Sequence, residues 1–221
     1  MEKQLKNKRT ELTKSLLREY MKNNQVLQKE QAGFLYEIAA DSIPDNTTLT
    51  QLYIAIRNQS EPFSDNTGRL QYKTKDGTAT LTYKNVKCSF EETMLLNTIS
   101  DLIELTEHIL PLGSLVQLRK ELFAGAVDIS RLDTIRVVIT HRFVRENEET
   151  YYTYGGVVYP VANFNGKEIL KFTPSLIEKT LHKGYQDEQE DAYIYLMKQE
   201  LILEKNIHMA GFREQEVEHE C

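Results

Sequence analysis

Tryptophan is absent from the 221 residues, and cysteine occurs only twice, at Cys88 and Cys221. Two thiols so far apart cannot form a disulfide framework or a four-ligand metal cage. Cys88, inside an alternating run, reads as a packed, reduced side chain. No stretch approaches the roughly 18 consecutive apolar residues that a membrane-spanning helix needs. The first thirty positions are charged and amphipathic, unlike a signal peptide, so the expectation is a cytoplasmic chain that does not engage a membrane. A surplus of positive charge is also lacking. At a net charge of −6 the chain is a poor match for a phosphate backbone, which has to be neutralised by Lys and Arg, and no nucleic-acid partner is expected. What is present is 40% apolar residues, enough for one good core or two small ones.

Catalytic signatures are missing as well. The sequence has no Walker loop, no GxGxxG behind a strand, no HExxH, no GxSxG and no Cys-x-x-Cys pair. The histidines His108, His141, His182, His208 and His219 are scattered without a second ligand type at helix or hairpin spacing. Ser114 follows Gly113 at a strand start, without the sharp elbow that exposes a nucleophilic serine. These readings give a chain that is not an enzyme and takes no metal or cofactor. Gly155-Gly156, within an aromatic run, marks a bulge or a place that admits a ligand's backbone, the bulge being favoured.

Charge is distributed unevenly. From residue 186 to 221 ten acids face three bases, whereas the first 22 residues carry seven bases against three acids. Such runs are ordinarily solvated faces, but opposite ends of this kind could also attract each other or opposite partners.

Periodicity sorts the chain into elements. Leu5, Leu12, Leu16 and Tyr20, then Leu27, Phe34, Leu35 and Ile38, predict two helices separated at Asn23-Asn24. Leu49, Leu52, Tyr53 and Ile56 predict a third behind an Asn46 or Thr47 cap. Period-two runs on either side of Asp76-Gly77 predict a β-hairpin over about 69–84. Ser89 and Glu92 read as a capping box opening a long joining helix over about 89–110. Beyond Pro111 the pattern predicts strands at 114–118, 134–143 and 151–159, then a short amphipathic turn at 175–181. A final helix over about 187–204 follows, with Tyr193, Leu196, Met197 and Leu201 as its apolar stripe. The fold class is α+β: a helical region with a hairpin (1–109), an α+β domain with a small, mostly antiparallel sheet and a C-terminal helix (110–206), and an acidic, mobile tail (207–221).

One resemblance runs through the second half. Leu110-Pro111-Leu112-Gly113-Ser114, Val137-Val138-Ile139, the stretch from Tyr152 to Tyr159-Pro160 with Gly155, then Phe172, and Gly184-Tyr185 with its acidic run to Glu190 stand in the order of a family's landmarks. That family comprises small domains of formally unknown function encoded beside LXG-type toxins of the type VII secretion system in Gram-positive bacteria. The resemblance covers about 110–204, with a longer connector at 119–133 and Val161-Ala162 where the family often has Glu-Gly. It implies an accessory protein that binds a cognate secreted toxin as chaperone or targeting adaptor, with other small helical secretion-targeting proteins as further partners. An immunity protein and an enzyme centred on His141 or the tyrosines are the alternatives. The residues expected to meet a partner are Tyr152, Tyr154, Asp187, Glu188, Glu190 and Asp191. A homo-oligomer through the N-terminal helix is left open.

Overall fold

The computed structural model describes residues 2–58, 62–119, 134–160 and 169–212. Most of the long connector at 119–133, Val161-Ala162 and the tail from 213 lie outside these residues. The chain is α+β and forms two compact units, 1–107 with 198–205, and 108–197 with 206–221. No helix among the described residues is long and apolar enough to cross a membrane.

In the first unit, α1 (Glu2–Asn23) and α2 (Lys29–Asp41) are separated at the expected asparagines, where the Asn24 side-chain oxygen accepts the Val26 and Leu27 N–H groups. Helix α3 (Thr47–Arg57) starts at Asn46, but the Asp45 carboxylate takes the Thr47 N–H while the Asn46 amide donates to Glu107. A four-stranded antiparallel sheet follows: β1 (Phe63–Ser64), β2 (Leu70–Lys75), β3 (Thr78–Tyr83) and β4 (Val86–Glu91), paired in that order. The predicted hairpin is β2–β3, with Asp76 at φ +51° and Gly77 at φ +75°. Lys84 and Asn85 make a second positive-φ turn that extends the sheet to β4.

Strand β4 overturns the proposed capping box. Ser89 pairs with Thr80 inside the ladder, so helix α4 (Glu92–Thr106) is capped two residues later by Glu91. The Glu91 carboxylate accepts the N–H groups of Thr93 at 2.9 Å and Met94 at 2.6 Å. Helix α4 also ends four residues short of the expected Leu110, because its last carbonyls already have other donors. Thr106 Oγ1 bonds back to Leu102, and the Lys198 ammonium takes the carbonyls of Leu105 and Glu107. Leu17, Leu35, Leu52, Tyr72, Leu81, Leu95 and Leu102 fill this unit's core.

The second unit is built on a six-stranded sheet. Its strands are β5 (Leu115–Leu118), β6 (Ile135–Arg145), β7 (Thr150–Tyr159), β8 (Leu170–Phe172), β9 (Ile177–His182) and β10 (His208–Met209). The order is β10-β7-β6-β5-β9, with β8 also on β7, and only β10 runs parallel to its neighbour. Two expectations change here. The amphipathic turn at 175–181 is in large part β9, whose pairing with β5 is interrupted by two register shifts; these disturb the alternation that would have marked a strand. The tail begins with a sheet strand: the N–H groups of His208 and Ala210 bond to Glu149 and Tyr151, and Ile207, His208 and Met209 are buried.

Helix α5 (Glu188–Lys198) continues as a π-helical turn at Gln199–Glu204. Its buried side chains match the predicted stripe only at Leu201. Asp191, Lys198, Leu201 and Ile202 are covered, whereas Tyr193 is 42% and Leu196 60% exposed.

Candidate functional site

The landmarks that carry the resemblance meet at one joint in the second unit. Gly113, at φ +77°, turns the chain into β5, and its N–H bonds to Ile139, whose own N–H returns to Ser114. The Leu110 N–H donates to the Tyr154 hydroxyl at 2.9 Å. Ser114 is fully buried; its hydroxyl donates to the Pro111 carbonyl at 2.7 Å and accepts the Gly184 N–H at 3.1 Å. A Cβ on Gly184 would run into the Leu112 carbonyl oxygen and lie only 3.1 Å from Ser114 N. Glycine is therefore required at 184 by backbone-to-backbone approach. The Leu-Pro-x-Gly-Ser and Gly-Tyr landmarks are thus two halves of one hydrogen-bonded joint. It leaves Leu112 46% and Tyr185 81% exposed.

From this joint the chain enters α5. The Asp187 carboxylate accepts the N–H groups of Gln189 and Glu190, each at 3.0 Å, and so caps the helix. Arg142, on β6, grips Glu190 with two bonds of 2.7 and 3.0 Å, and its guanidinium lies 5.1 Å from the centre of the Tyr193 ring. With side chains only 5% and 18% exposed, this is a nearly dry bidentate pair. Neighbours on a strand normally point to opposite faces, but Phe143, next in the chain, sits at φ +52°. That left-handed residue breaks the alternation, and the Phe143 ring also reaches Tyr193, centroids 6.3 Å apart.

Gly155 and Gly156 serve packing. Opposite Gly155-Gly156 the register shifts by one residue on β6, so the bulge belongs to the partner strand. A Cβ at Gly156 would stand 2.5 Å from Val138 O, and one at Gly155 would meet the Ile169 side chain, which leaves no space for a ligand. The Tyr159-Pro160 peptide is cis, and Tyr159 is 48% exposed.

Of the residues expected to meet a partner, Tyr154 and Asp191 are buried, at 1% and 3% exposure, and serve the interior. Glu190 is consumed by Arg142, Asp187 by the helix cap, and Tyr152 is half-buried. Glu188 faces solvent. Arg142 gave no signal in the sequence, because a lone Arg in an alternating strand looks like any solvent-facing position. His141 is exposed and hydrogen-bonded to Thr140; His182 is exposed on β9, with β5 lying between β9 and β6.

The first unit buries ionisable groups of its own. The Tyr20 hydroxyl donates to Asp101 at 2.8 Å; burial, reinforced by that carboxylate, pushes the phenol's pKa upward. Lys198, 4% exposed, is pulled down to about 8 by burial, against the opposing pull of Glu107 and Glu104. A cleft of about 350 Å³ beside Asp41, Asp45 and Asp65 also lies here, but these carboxylates are engaged by Tyr83 and Lys84, by Thr47, and by Thr67 respectively.

A six-stranded mixed sheet with a helix docked through a buried ion pair defines the second unit as an α+β domain. Residues 109–193, less than half of the chain, match the model of a family described as "Domain of unknown function (DUF4176)". No curated protein and no solved structure matches the chain.

Proposed function

We propose that this protein is a non-enzymatic binding protein that holds a cognate LXG-type toxin in the cytosol and acts as its chaperone or targeting adaptor for type VII secretion. The toxin link rests on the landmark resemblance at Leu110-Pro111, Val137 to Ile139, Tyr152 to Pro160 and Gly184-Tyr185. The binding role rests on one observation, the location of the exposed apolar side chains. Among the described residues six of the nine large exposed ones lie in the second unit: Leu112, Tyr159, Leu181, Tyr185, Tyr193 and Leu196. Isolated exposed apolar residues need no explanation. Here, however, the joint, the helix cap and the Arg142–Glu190 pair hold the backbone beneath several of them. Exposed aromatic side chains on ordered backbone are what protein interfaces enrich.

The test is genetic and biochemical together. Deleting this chain in its native host should leave the adjacent LXG toxin insoluble or unexported without poisoning the cell, and tagged chain should recover the toxin from lysate. Self-poisoning on deletion, with export intact, would replace the adaptor by an immunity protein. Unchanged solubility, export and viability would remove the proposal.

A further inference from the structure

Strands β2, β3 and β4 of the first unit alternate between two faces. Tyr72, Leu81 and Phe90 are buried on one. On the other, Lys73 stands opposite Thr80, Lys75 opposite Thr78 and Lys87 opposite Thr82. All three lysines are exposed, and among the described residues none pairs with their ammonium groups. A lysine on a sheet is ordinarily supported by an opposite charge across the strand; here the facing side chains are short hydroxyls. The carboxylate on this face, Glu91, is committed to the α4 cap, where it takes the Thr93 and Met94 N–H groups. Asp76, in the turn next to Lys75, is a single acid against three bases. In a chain of net charge −6 the face is therefore a local patch of the opposite sign.

Spacing and chemistry select among anionic partners. Lys73 and Lys75, two positions apart on β2, stand about 6.7 Å from each other along the strand, the repeat of alternate side chains in any extended polypeptide. Lys87 lies two strands away, at roughly 10 Å. An extended segment with Asp or Glu at every second position can match that spacing, and the Thr78 and Thr82 hydroxyls between the lysines can donate to its carboxylates. A single-stranded nucleic acid would need aromatic rings to stack on, and the described residues of this face offer none. A lipid surface would need an apolar group or a second signal beside three lysines, and these rows hold no apolar side chain.

We infer that the lysine-bearing face of β2, β3 and β4 is a docking surface for an acidic, extended polypeptide segment, held by Lys73, Lys75 and Lys87. This goes beyond the toxin-binding reading and does not rest on it. The probe is fluorescently labelled poly-L-glutamate, titrated with the purified full chain at low ionic strength and again at rising salt. Wild type should bind, with an affinity that falls steeply as salt screens exposed charges. Lys73→Glu/Lys75→Glu/Lys87→Glu should weaken binding by about tenfold or more, the combined worth of three exposed ion pairs. Lys73→Gln/Lys75→Gln/Lys87→Gln, which removes the charges without adding repulsion, should weaken it less, and thermal melts establish that both variants fold. Arg136→Glu/Lys179→Glu/Lys183→Glu makes the same change in net charge on the second unit and should bind like wild type. An equal loss in that control would show that overall charge and not this face governs binding, and would overturn the inference. So would a wild-type chain that ignores poly-L-glutamate at low salt, or one that binds oligothymidylate or phosphatidylserine vesicles through these lysines as tightly as it binds the acidic polypeptide.

Discussion

Gly184→Ala tests the joint between the two landmark segments. Glycine's backbone freedom is not at issue, because no positive φ is involved at 184; the cost is one of space. The added methyl would collide with the Leu112 carbonyl oxygen, with Leu112 C at 3.0 Å and Ser114 N at 3.1 Å. All three are backbone atoms and cannot swing aside as a side chain would. The two segments must part, at an overpacking cost of about 1–3 kcal/mol. Parting also breaks the bond from the Gly184 N–H to the buried Ser114 hydroxyl, worth about 1 kcal/mol. Together these give roughly 2–4 kcal/mol. The assay is urea unfolding followed by a signal from the second unit, with the midpoint and slope fitted together so that a change in cooperativity is not mistaken for one in stability. A loss below about 0.5 kcal/mol, the range of an inert surface change, would refute the argument that backbone contact closes the joint.

Three further outcomes follow from particular contacts. Gly33→Ala, in the interior of α2 with nothing within 4 Å of the new methyl, should stabilise the chain by about 0.5–1 kcal/mol in the same urea assay. Arg142→Met should destabilise the chain by about 3 kcal/mol, the low end for a broken buried pair because Glu190 retains 18% exposure; Arg142→Lys, which cannot form the bidentate grip, should fall between it and wild type. The folded-state pKa of Lys198, about 8, lies below its ordinary value of 10.5, so the unfolded chain binds more protons between those limits and this group's contribution to stability must rise with pH across that window. Thermal melts of wild type and Lys198→Met from pH 7 to 10 should therefore show wild type gaining relative to the variant, and parallel curves would contradict that assignment.

How far the sequence could be read depended on whether the deciding force was local. Apolar spacing at Leu49, Leu52, Tyr53 and Ile56 and the Asp76-Gly77 turn are local signals, and α3 and the β2–β3 hairpin stand where they placed them. The turn at Lys84-Asn85 was not legible, because lysine at φ +48° advertises no turn. The Ser89–Glu92 pattern was a genuine capping signature, overridden when ladder pairing with β3 carried the strand through Glu91. Helix α5 misled through hydropathy. It buries Asp191 and Lys198, whose hydrogen-bond partners Gln186, Leu105 and Glu107 offset their polarity, and exposes Tyr193 and Leu196. The acidic run shows the same effect. Most of its charge is used within the fold, so exposed aromatics rather than negative charge mark this end of the second unit. Within the candidate site, Gly113, Ser114, Gly184 and Tyr185 were legible as landmarks, but their union in one joint and the clasp of Arg142 are tertiary facts that no spacing encodes.

The central claim is that the second unit presents an apolar, aromatic surface to a polypeptide. Calorimetric titration of the purified full chain with the inactivated LXG toxin at several temperatures tests it most directly. The account predicts a complex with a dissociation constant of about 1 µM or tighter and a negative heat-capacity change from buried apolar area. A toxin that remains unbound at about 100 µM chain, where even a weak interface of this class would be populated, would contradict it.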